Sequence, residues 1–277
     1  MANRLVFEQY ETLTEFAKSL SREPNNVFRG RKLESEENGK DFTGTESWAE
    51  AMNLFNNGWT DKVEEIKKDM VQFEKAVERD VSYQKNRPQT SIVGFAPHVP
   101  NAILGLPNSM IHTERTQMKA KVVRLVYNMC VNCGWSEKDI MKAGLTVLKI
   151  AYSMELKGYR VRIDANPFLA RSGKEETCAL VCIKDWRQPI DIKKIAFPLA
   201  HPSMFRRLGF RWLETVPELT DRSYISGYGR SLESDGDELL RREGVLGDKD
   251  YFISVTKAKE AGYDPEKLAE AIGIKKI

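Results

Sequence analysis

The sequence predicts an α/β fold, in which a small, mostly parallel sheet is flanked by helices. The segment from Lys121 to Ala165 carries the three observations on which this prediction rests. Val122 to Val126 is a β-branched and apolar run of about the length of a buried strand. Ser136 and Asp139 form a capping-box pattern before a helix whose apolar residues share one face. A second apolar strand follows Gly158, and a strand, a crossover helix and a second strand most simply form a right-handed parallel unit.

Residues 1–85 are predicted to form a helical N-terminal region ahead of an α/β core at 119–277. The first helix has apolar residues at helical spacing, namely Phe7, Tyr10, Leu13, Phe16, Ala17 and Leu20. A second helix begins near Trp48 and ends at Gly58. A third helix, from Asp61, carries a coiled-coil-like apolar seam formed by Val63, Ile66, Met70, Phe73 and Val77. Two heptads are too few for a stable free coiled coil, so the seam is expected to pack on the body of the protein, with a homo-oligomer contact as the alternative.

Proline and glycine recur among apolar residues in 86–118, which predicts an ordered connection or short edge strands rather than long helices. Beyond the central unit, residues 166–176 have the composition of a charged loop. Thr177 to Ile183 is then a third strand, and Tyr251 to Val255 is a fourth. Asp191 is the N-cap residue of a helix that is expected to end before the next proline.

The predicted ligand site is the rim at the carboxyl ends of the two central strands, because ligands of parallel sheets bind there. The rim residues are Asn128, Cys130, Asn132, Asp164 and Asn166. The alternative is that these side chains serve the backbone as turn and cap residues. The residue types alone do not separate the two interpretations.

The strand, the polar loop and the helix, followed by a Gly-Tyr-Arg-Val strand from Gly158, resemble the opening half of a von Willebrand factor A-type domain. Such domains hold a divalent cation through an Asp-x-Ser-x-Ser loop after the first strand. In this sequence Asn128-Met-Cys-Val-Asn132 stands at that position, without the carboxylate that a hard cation prefers. The resemblance implies a vWA-like or Rossmann-like core with a lost metal site, and no cofactor is expected.

A second resemblance concerns the N-terminal region. The run Phe-Thr-Gly-Thr-Glu-Ser-Trp-Ala-Glu-Ala from Phe42, followed by Asn-Gly-Trp ending at Trp59, is similar to uncharacterised proteins of bacteriophages and mobile elements. No activity is established for those proteins, so the resemblance implies a phage or mobile-element origin only. The physical interpretation is a capped helix anchored by Trp48 and Trp59.

Composition limits the class of protein. The 277 residues are 41% hydrophobic and 30% charged, which is typical of a globular protein with a core and a well-solvated surface. A net charge of +3 neither favours nor excludes a nucleic-acid partner. The sequence has no basic-then-apolar signal pattern and no apolar run of roughly 20 residues, so no membrane association is expected. We expect a cytoplasmic protein of a bacterial host cell, or a virion-associated one, with reduced cysteines.

Two sets of side chains suggest chemistry without a decisive pattern. Zinc is an alternative for the cysteines, namely Cys130, Cys133, Cys178 and Cys182. The second pair lies within a predicted strand, where its members stand too far apart to chelate one ion easily, so buried inert thiols are the default. Asp164, Asp185 and Asp191 lack the paired-acid pattern of magnesium-dependent nucleases, and cap or turn roles suffice for them. An enzyme is therefore not favoured.

Residues 184–212 form a basic, aromatic block, in which 201–212 is predicted as a short helix leading into an extended segment. Its candidate contact residues are Lys193, Lys194, Arg206, Arg207, Arg211 and Trp212. This composition is typical of a surface that contacts phosphates and stacks on bases, although a solvated helix face with inward aromatics has it too. The favoured function is a non-enzymatic interaction protein that binds a protein partner, and the alternative is a nucleic-acid-binding or processing protein.

Overall fold

The computed structural model describes residues 4–76, 88–113, 121–233 and 235–274. The chain divides into two compact units. One unit combines the residues up to 77 with those from 122 onwards, and it contains the central sheet. The second unit, residues 78–121, includes the described segment 88–113, which we call the apolar arm.

The described helices and strands follow one another along the chain as β1 Arg4–Tyr10, α1 Leu13–Ser19, α2 Glu34–Glu37, α3 Lys40–Thr43, α4 Trp48–Asn57, α5 Thr60–Ala76, β2 Pro88–Ser91, β3 Ala96–Pro97, α6 Val99–Ile103, β4 Met110–Thr113, β5 Lys121–Asn128, α7 Glu137–Leu156, β6 Tyr159–Ser172, β7 Glu175–Lys184, α8 Ile192–Ala200, α9 Phe210–Thr215, β8 Arg230–Ser231, α10 Gly236–Arg242, β9 Asp250–Ser254, α11 Val255–Glu260 and α12 Pro265–Ala271. A π-helical turn, Met204–Gly209, leads into α9, and a 3₁₀ turn, Arg222–Ile225, precedes β8.

The central sheet has the strand order β1-β7-β6-β5-β9, with β8 paired to β6. β1 is parallel to β7, and β9 is parallel to β5. β6 and β7 form an antiparallel hairpin. The fold class predicted from the sequence is confirmed: helices flank a mainly parallel central sheet in an α/β protein.

The predicted central unit is present. β5 and β6 are neighbours in the sheet, and their contacts advance together along both strands. Arg124 of β5 binds Asp164 of β6, and further along the Met129 backbone N–H donates to the Asn166 carbonyl at 3.2 Å. The two strands therefore run in the same direction, with α7 as the connection between them. β1 and β7 run in the opposite direction to β5, β6 and β9. The carboxyl ends of β5, β6 and β9 therefore lie on one side of the sheet, and those of β1 and β7 lie on the other.

Local signals in the sequence determine where α7 begins and ends. The Ser136 hydroxyl accepts from the Asp139 backbone N–H at 3.2 Å. Gly158 follows the helix with φ of +85°, a left-handed conformation that glycine adopts without a steric penalty. Between these ends, α7 packs on β6 and α8 and buries its apolar face against them.

The first element corrects the prediction of a helix from Phe7. Arg4–Tyr10 is instead the edge strand β1, and α1 begins only at Leu13, after the N-cap residue Thr12. Phe7 and Tyr10 fit a helical face, but β pairing with β7 decides the conformation in the folded chain. Residues 4–76, the described part of this region, are consequently not a separate helical region, since β1 belongs to the central sheet.

Residues 166–176, predicted as a charged loop, are mostly strand. β6 continues to Ser172 and β7 begins at Glu175, so these residues form the tight end of a hairpin. Both carboxylates of this segment are paired: the buried Glu176 carboxylate accepts from Arg171 at 2.5 Å and from Arg242 at 3.0 Å, and Glu175 accepts from Arg4 at 3.1 Å. Pairing allows a carboxylate to lie inside a strand that composition alone would place in solvent.

The region after α8 also differs from its prediction. α8 continues through Pro198 to Ala200 instead of ending before the proline. Residues 201–212 do not become extended, because the π-helical turn leads directly into α9. The prediction of an extended segment there was wrong.

The apolar seam of α5 faces the chain's own interior. Val63, Ile66 and Met70 are each at most 5% exposed, and α5 packs on α7 and α8. Phe73 is half-buried beneath Lys149, and Val77 lies outside the described residues. Val63, Ile66 and Met70 therefore pack on the body of the protein as expected, and their burial leaves these three residues unavailable for a homo-oligomer contact.

Candidate functional site

The rim at the carboxyl end of β5 is closed by hydrogen bonds. The Asn128 side-chain amide donates to the Leu232 carbonyl at 3.2 Å, and its oxygen accepts from the Cys130 backbone N–H at 3.0 Å. Asn128 is fully buried and Cys130 is 2% exposed. Asn128 therefore holds the loop after β5 against the segment that leads to α10, and both residues are closed off from solvent.

Asp164 lies in a row of charges that alternate in sign across the sheet. Its carboxylate accepts from Arg124 Nε at 2.6 Å and from Arg162 Nε at 2.8 Å. Arg162 also binds Glu11 at 2.9 Å, and Arg124 binds Asp250 at 3.3 Å. The row connects the ends of β1 and β9 with β5 and β6. Because each charge has an opposite neighbour, the Asp164 carboxylate can be buried at 1% exposure.

Of the predicted rim residues, Asn132 is exposed and Asn166 is fully buried. The Asn166 amide donates to Cys178 Sγ at 3.6 Å. Asn132 accepts from the Ser231 hydroxyl at 3.0 Å, and its backbone N–H donates to Glu233 at 3.1 Å. Four of the five rim residues are therefore buried and Asn132 is exposed, and this placement favours turn and packing roles for the buried side chains.

The cysteines do not assemble into a zinc site. All four are free, and only Cys133 among them is exposed. Burial raises the pKa of Cys130 and of Cys182 to about 12, and burial also raises the pKa of Cys178. The thiolate that zinc requires is disfavoured in such surroundings. Within the described residues, no group of three or more His, Cys, Asp or Glu side chains is placed to hold a metal ion.

Arg207 is buried, which corrects its prediction as a phosphate contact. It is 0% exposed, and its guanidinium donates to α2 and to the segment between α2 and α4. Nε donates to the Thr45 hydroxyl at 2.7 Å, Nη1 to the Ser35 carbonyl at 2.9 Å, and Nη2 to the carbonyls of Asn38 and Thr45, both at 2.8 Å. Arg207 therefore organises a loop-rich region that has little regular backbone pairing of its own.

Arg206 and Trp212 are buried as well, at 1% and 0% exposure. Arg206 donates to the carbonyls of Phe42 and Trp135, at 2.8 and 2.6 Å. The Trp212 indole N–H donates to Glu8 at 2.7 Å. These residues cannot form a base-stacking surface, because their polar atoms face the interior of the chain.

The remaining residues of the block are nearer to solvent. Arg211 donates to the Leu20 carbonyl at 3.1 Å and binds Glu36 at 3.0 Å. Lys193 and Lys194 are exposed at the start of α8, beside the N-cap Asp191. Two exposed lysines next to a carboxylate are a weak basis for a nucleic-acid surface.

Lys194 and Asp191, together with Leu13, line two adjoining cavities of about 360 and 470 Å³. The first cavity lies where β1 and β7 end, which is the second carboxyl edge of the sheet. Its charged lining is mixed, with Glu11 and Lys184 among the residues. Glu11 binds Arg162 and Lys184 binds Glu155, so two of the charged groups at this cleft already have partners within the chain.

His201 is a buried histidine that sequence reasoning could not place. Its ring stacks on Phe197 with centroids 4.8 Å apart and meets the edge of Trp59 at 4.7 Å. Its Nδ1 accepts from the Ser203 backbone N–H at 3.1 Å. Burial lowers the pKa of His201 to about 4, so the imidazole is neutral near pH 7.

The His201 environment predicts a pH-dependent stability. Because the folded-state pKa lies below the usual value of about 6.5, the unfolded chain binds a proton that the folded chain does not. The free energy of unfolding should therefore fall as the pH falls from 6.5 towards 4, by up to about 1.4 kcal/mol per pH unit from this residue. Urea denaturation at several pH values measures it. His201→Asn, which keeps a hydrogen-bond acceptor but does not titrate, should have a flatter pH profile, and an equal slope in the two proteins would contradict this prediction.

The apolar arm has the most unusual surface of the described chain. Its backbone is ordered as a three-stranded antiparallel sheet, β2-β4-β3, with α6 between β3 and β4. No arm residue whose burial the structure describes is buried. Seven large apolar side chains are between 47% and 80% exposed, namely Ile92, Val93, Phe95, Val99, Ile103, Leu104 and Leu106. The sequence of the arm contains no Lys, Arg, Asp or Glu.

A small sheet without a buried face is marginal in water, and a contiguous exposed apolar patch marks a contact site. Within the arm, the His98 backbone N–H donates to the Ser109 carbonyl at 2.7 Å, and Asn101 donates to the Asn108 carbonyl at 2.8 Å. Hydrogen bonds therefore define the arm's shape while its apolar side chains remain unpaired. Sequence reasoning anticipated the order and the apolar composition of this segment, but not its exposure.

Comparison with known families gives one finding. The family model described as a domain of unknown function, DUF7192, matches residues 2–276. The chain belongs to the DUF7192 family. No curated protein and no solved structure matches this DUF7192 chain. Among its described residues, no helix is both long and apolar enough to cross a bilayer.

Proposed function

We propose that this DUF7192 chain is a non-enzymatic interaction protein whose apolar arm docks on an apolar surface of a partner protein. The observation that carries the proposal is the exposure of seven large apolar side chains on an ordered, uncharged segment. Burying one such side chain contributes roughly 1.5–3 kcal/mol, so the arm can supply the apolar centre of an interface. The α/β unit, which resembles a vWA-like core, would act as the scaffold.

The absence of charge favours a protein partner over nucleic acid. The cores of protein interfaces are depleted of charged residues, whereas nucleic-acid surfaces rely on Lys and Arg. The arm has neither, although 30% of the whole chain is charged. The nucleic-acid alternative named six residues of the basic block, and burial of Arg206, Arg207 and Trp212 removes three of them from the surface.

A phage or mobile-element origin is part of the proposal. Its support is the similarity of the run from Phe42 to Ala51, and of Asn57-Gly-Trp59, to proteins of such elements. On this basis the partner is a protein of the bacterial host or of the virion, with an uncharged, apolar contact surface.

The test places a photo-activated cross-linking residue at Leu104 of the full chain and captures its partner in a bacterial lysate. The captured protein is then purified and titrated against the chain without the cross-linker. Replacing both Ile103 and Leu104 by asparagine should weaken binding about 100-fold, since two buried side chains are worth roughly 3 kcal/mol or more. The unfolding midpoint should not change, because both side chains are exposed in the free protein.

The matched control is Asn108→Ser, an exposed polar change in the same arm that should leave the affinity unaltered. Equal binding by the wild type and the Ile103/Leu104 variant would overturn the proposal. Binding of the arm to neutral phosphatidylcholine vesicles, with no arm-dependent protein partner, would also overturn it, because the apolar surface would then serve a lipid.

A further inference from the structure

We draw no further inference here: the strongest candidate, the cleft where β1 and β7 end, carries none, because its buried lysine, Lys184, is paired with Glu155 and its other lysines, Lys193 and Lys194, are exposed, so nothing among the described residues selects a ligand for it.

Discussion

Replacing Arg207 by alanine is expected to lower the free energy of unfolding by roughly 5 kcal/mol, enough to leave a marginally stable domain largely unfolded. The guanidinium is 0% exposed and donates to the carbonyls of Ser35, Asn38 and Thr45 and to the Thr45 hydroxyl. Each buried acceptor that loses its donor costs about 1–3 kcal/mol. The vacated volume adds the penalty of a cavity, because the stem of the arginine also packs in the interior.

Arg211→Ala is the matched control for this prediction. Arg211 lies four residues further along, and it donates to the Leu20 carbonyl and to the half-exposed Glu36. Water can replace those contacts in part, so the loss should be about 1 kcal/mol. Urea denaturation followed by circular dichroism compares the two variants. If Arg207→Ala lowered the free energy of unfolding no more than Arg211→Ala, the hydrogen bonds of the Arg207 guanidinium would not stabilise the region between α2 and α4.

Arg207→Lys separates the geometry of the side chain from its charge. A lysine carries the same charge on a similar stem, but it has one ammonium group in place of a planar fork of donors. It cannot reach carbonyls on several sides at once, so most of the loss should persist. Full recovery with lysine would mean that charge alone, rather than the directed hydrogen bonds, stabilises the segment.

The parts of the fold that the sequence predicted are those determined by neighbouring residues. Ser136 caps α7, and Asp191 caps α8. A cap acts over three or four residues, so its signal is visible in the sequence. The run from Val122 to Val126 predicted β5 for a related reason, because an apolar β-branched run of that length is typical of a buried strand.

The parts that sequence reasoning missed depend on distant residues. β1 is a strand because it pairs with β7, about 170 positions further along the chain, and no local pattern reports that pairing. Arg206 and Arg207 are buried because they donate to backbone carbonyls, which every residue possesses. A basic, aromatic composition therefore describes a solvated surface and a buried network equally well.

For the candidate sites too, features set by neighbouring residues were predicted and features set by distant residues were not. The carboxyl end of β5 was located correctly, but its closure by Leu232 and Glu233 involves residues about 100 positions away. The apolar arm was expected to be ordered, since it is too apolar for a free linker. Its exposure could not be predicted, because an apolar segment without charges is normally expected to be buried. The exposure becomes visible only in the folded chain.

Gly144→Ala should destabilise the protein by roughly 3 kcal/mol or more. A Cβ atom at Gly144 would lie 2.1 Å from the Leu199 carbonyl oxygen and 2.7 Å from Ala200 Cα. These atoms are backbone, so a side-chain rotation cannot relieve the clash, and α7 must move away from α8. Alanine would otherwise stabilise a helix by about 1 kcal/mol relative to glycine, and overpacking reverses that sign. Thermal unfolding should show a midpoint lowered by several degrees.

Gly134→Ala is the control for Gly144→Ala, because its Cβ would have no neighbour within 4 Å and its φ is not in the left-handed region. It should change stability by no more than about 0.5 kcal/mol. The position of α8 against α7 matters for the fold as a whole, since α8 leads through the buried His201 to the segment that carries Arg206 and Arg207. A displaced α8 should therefore disturb these buried contacts together, and the Gly144→Ala protein should unfold as one unit at lower denaturant. A Gly144→Ala protein as stable as the wild type would show that α7 and α8 are not in backbone contact at this position.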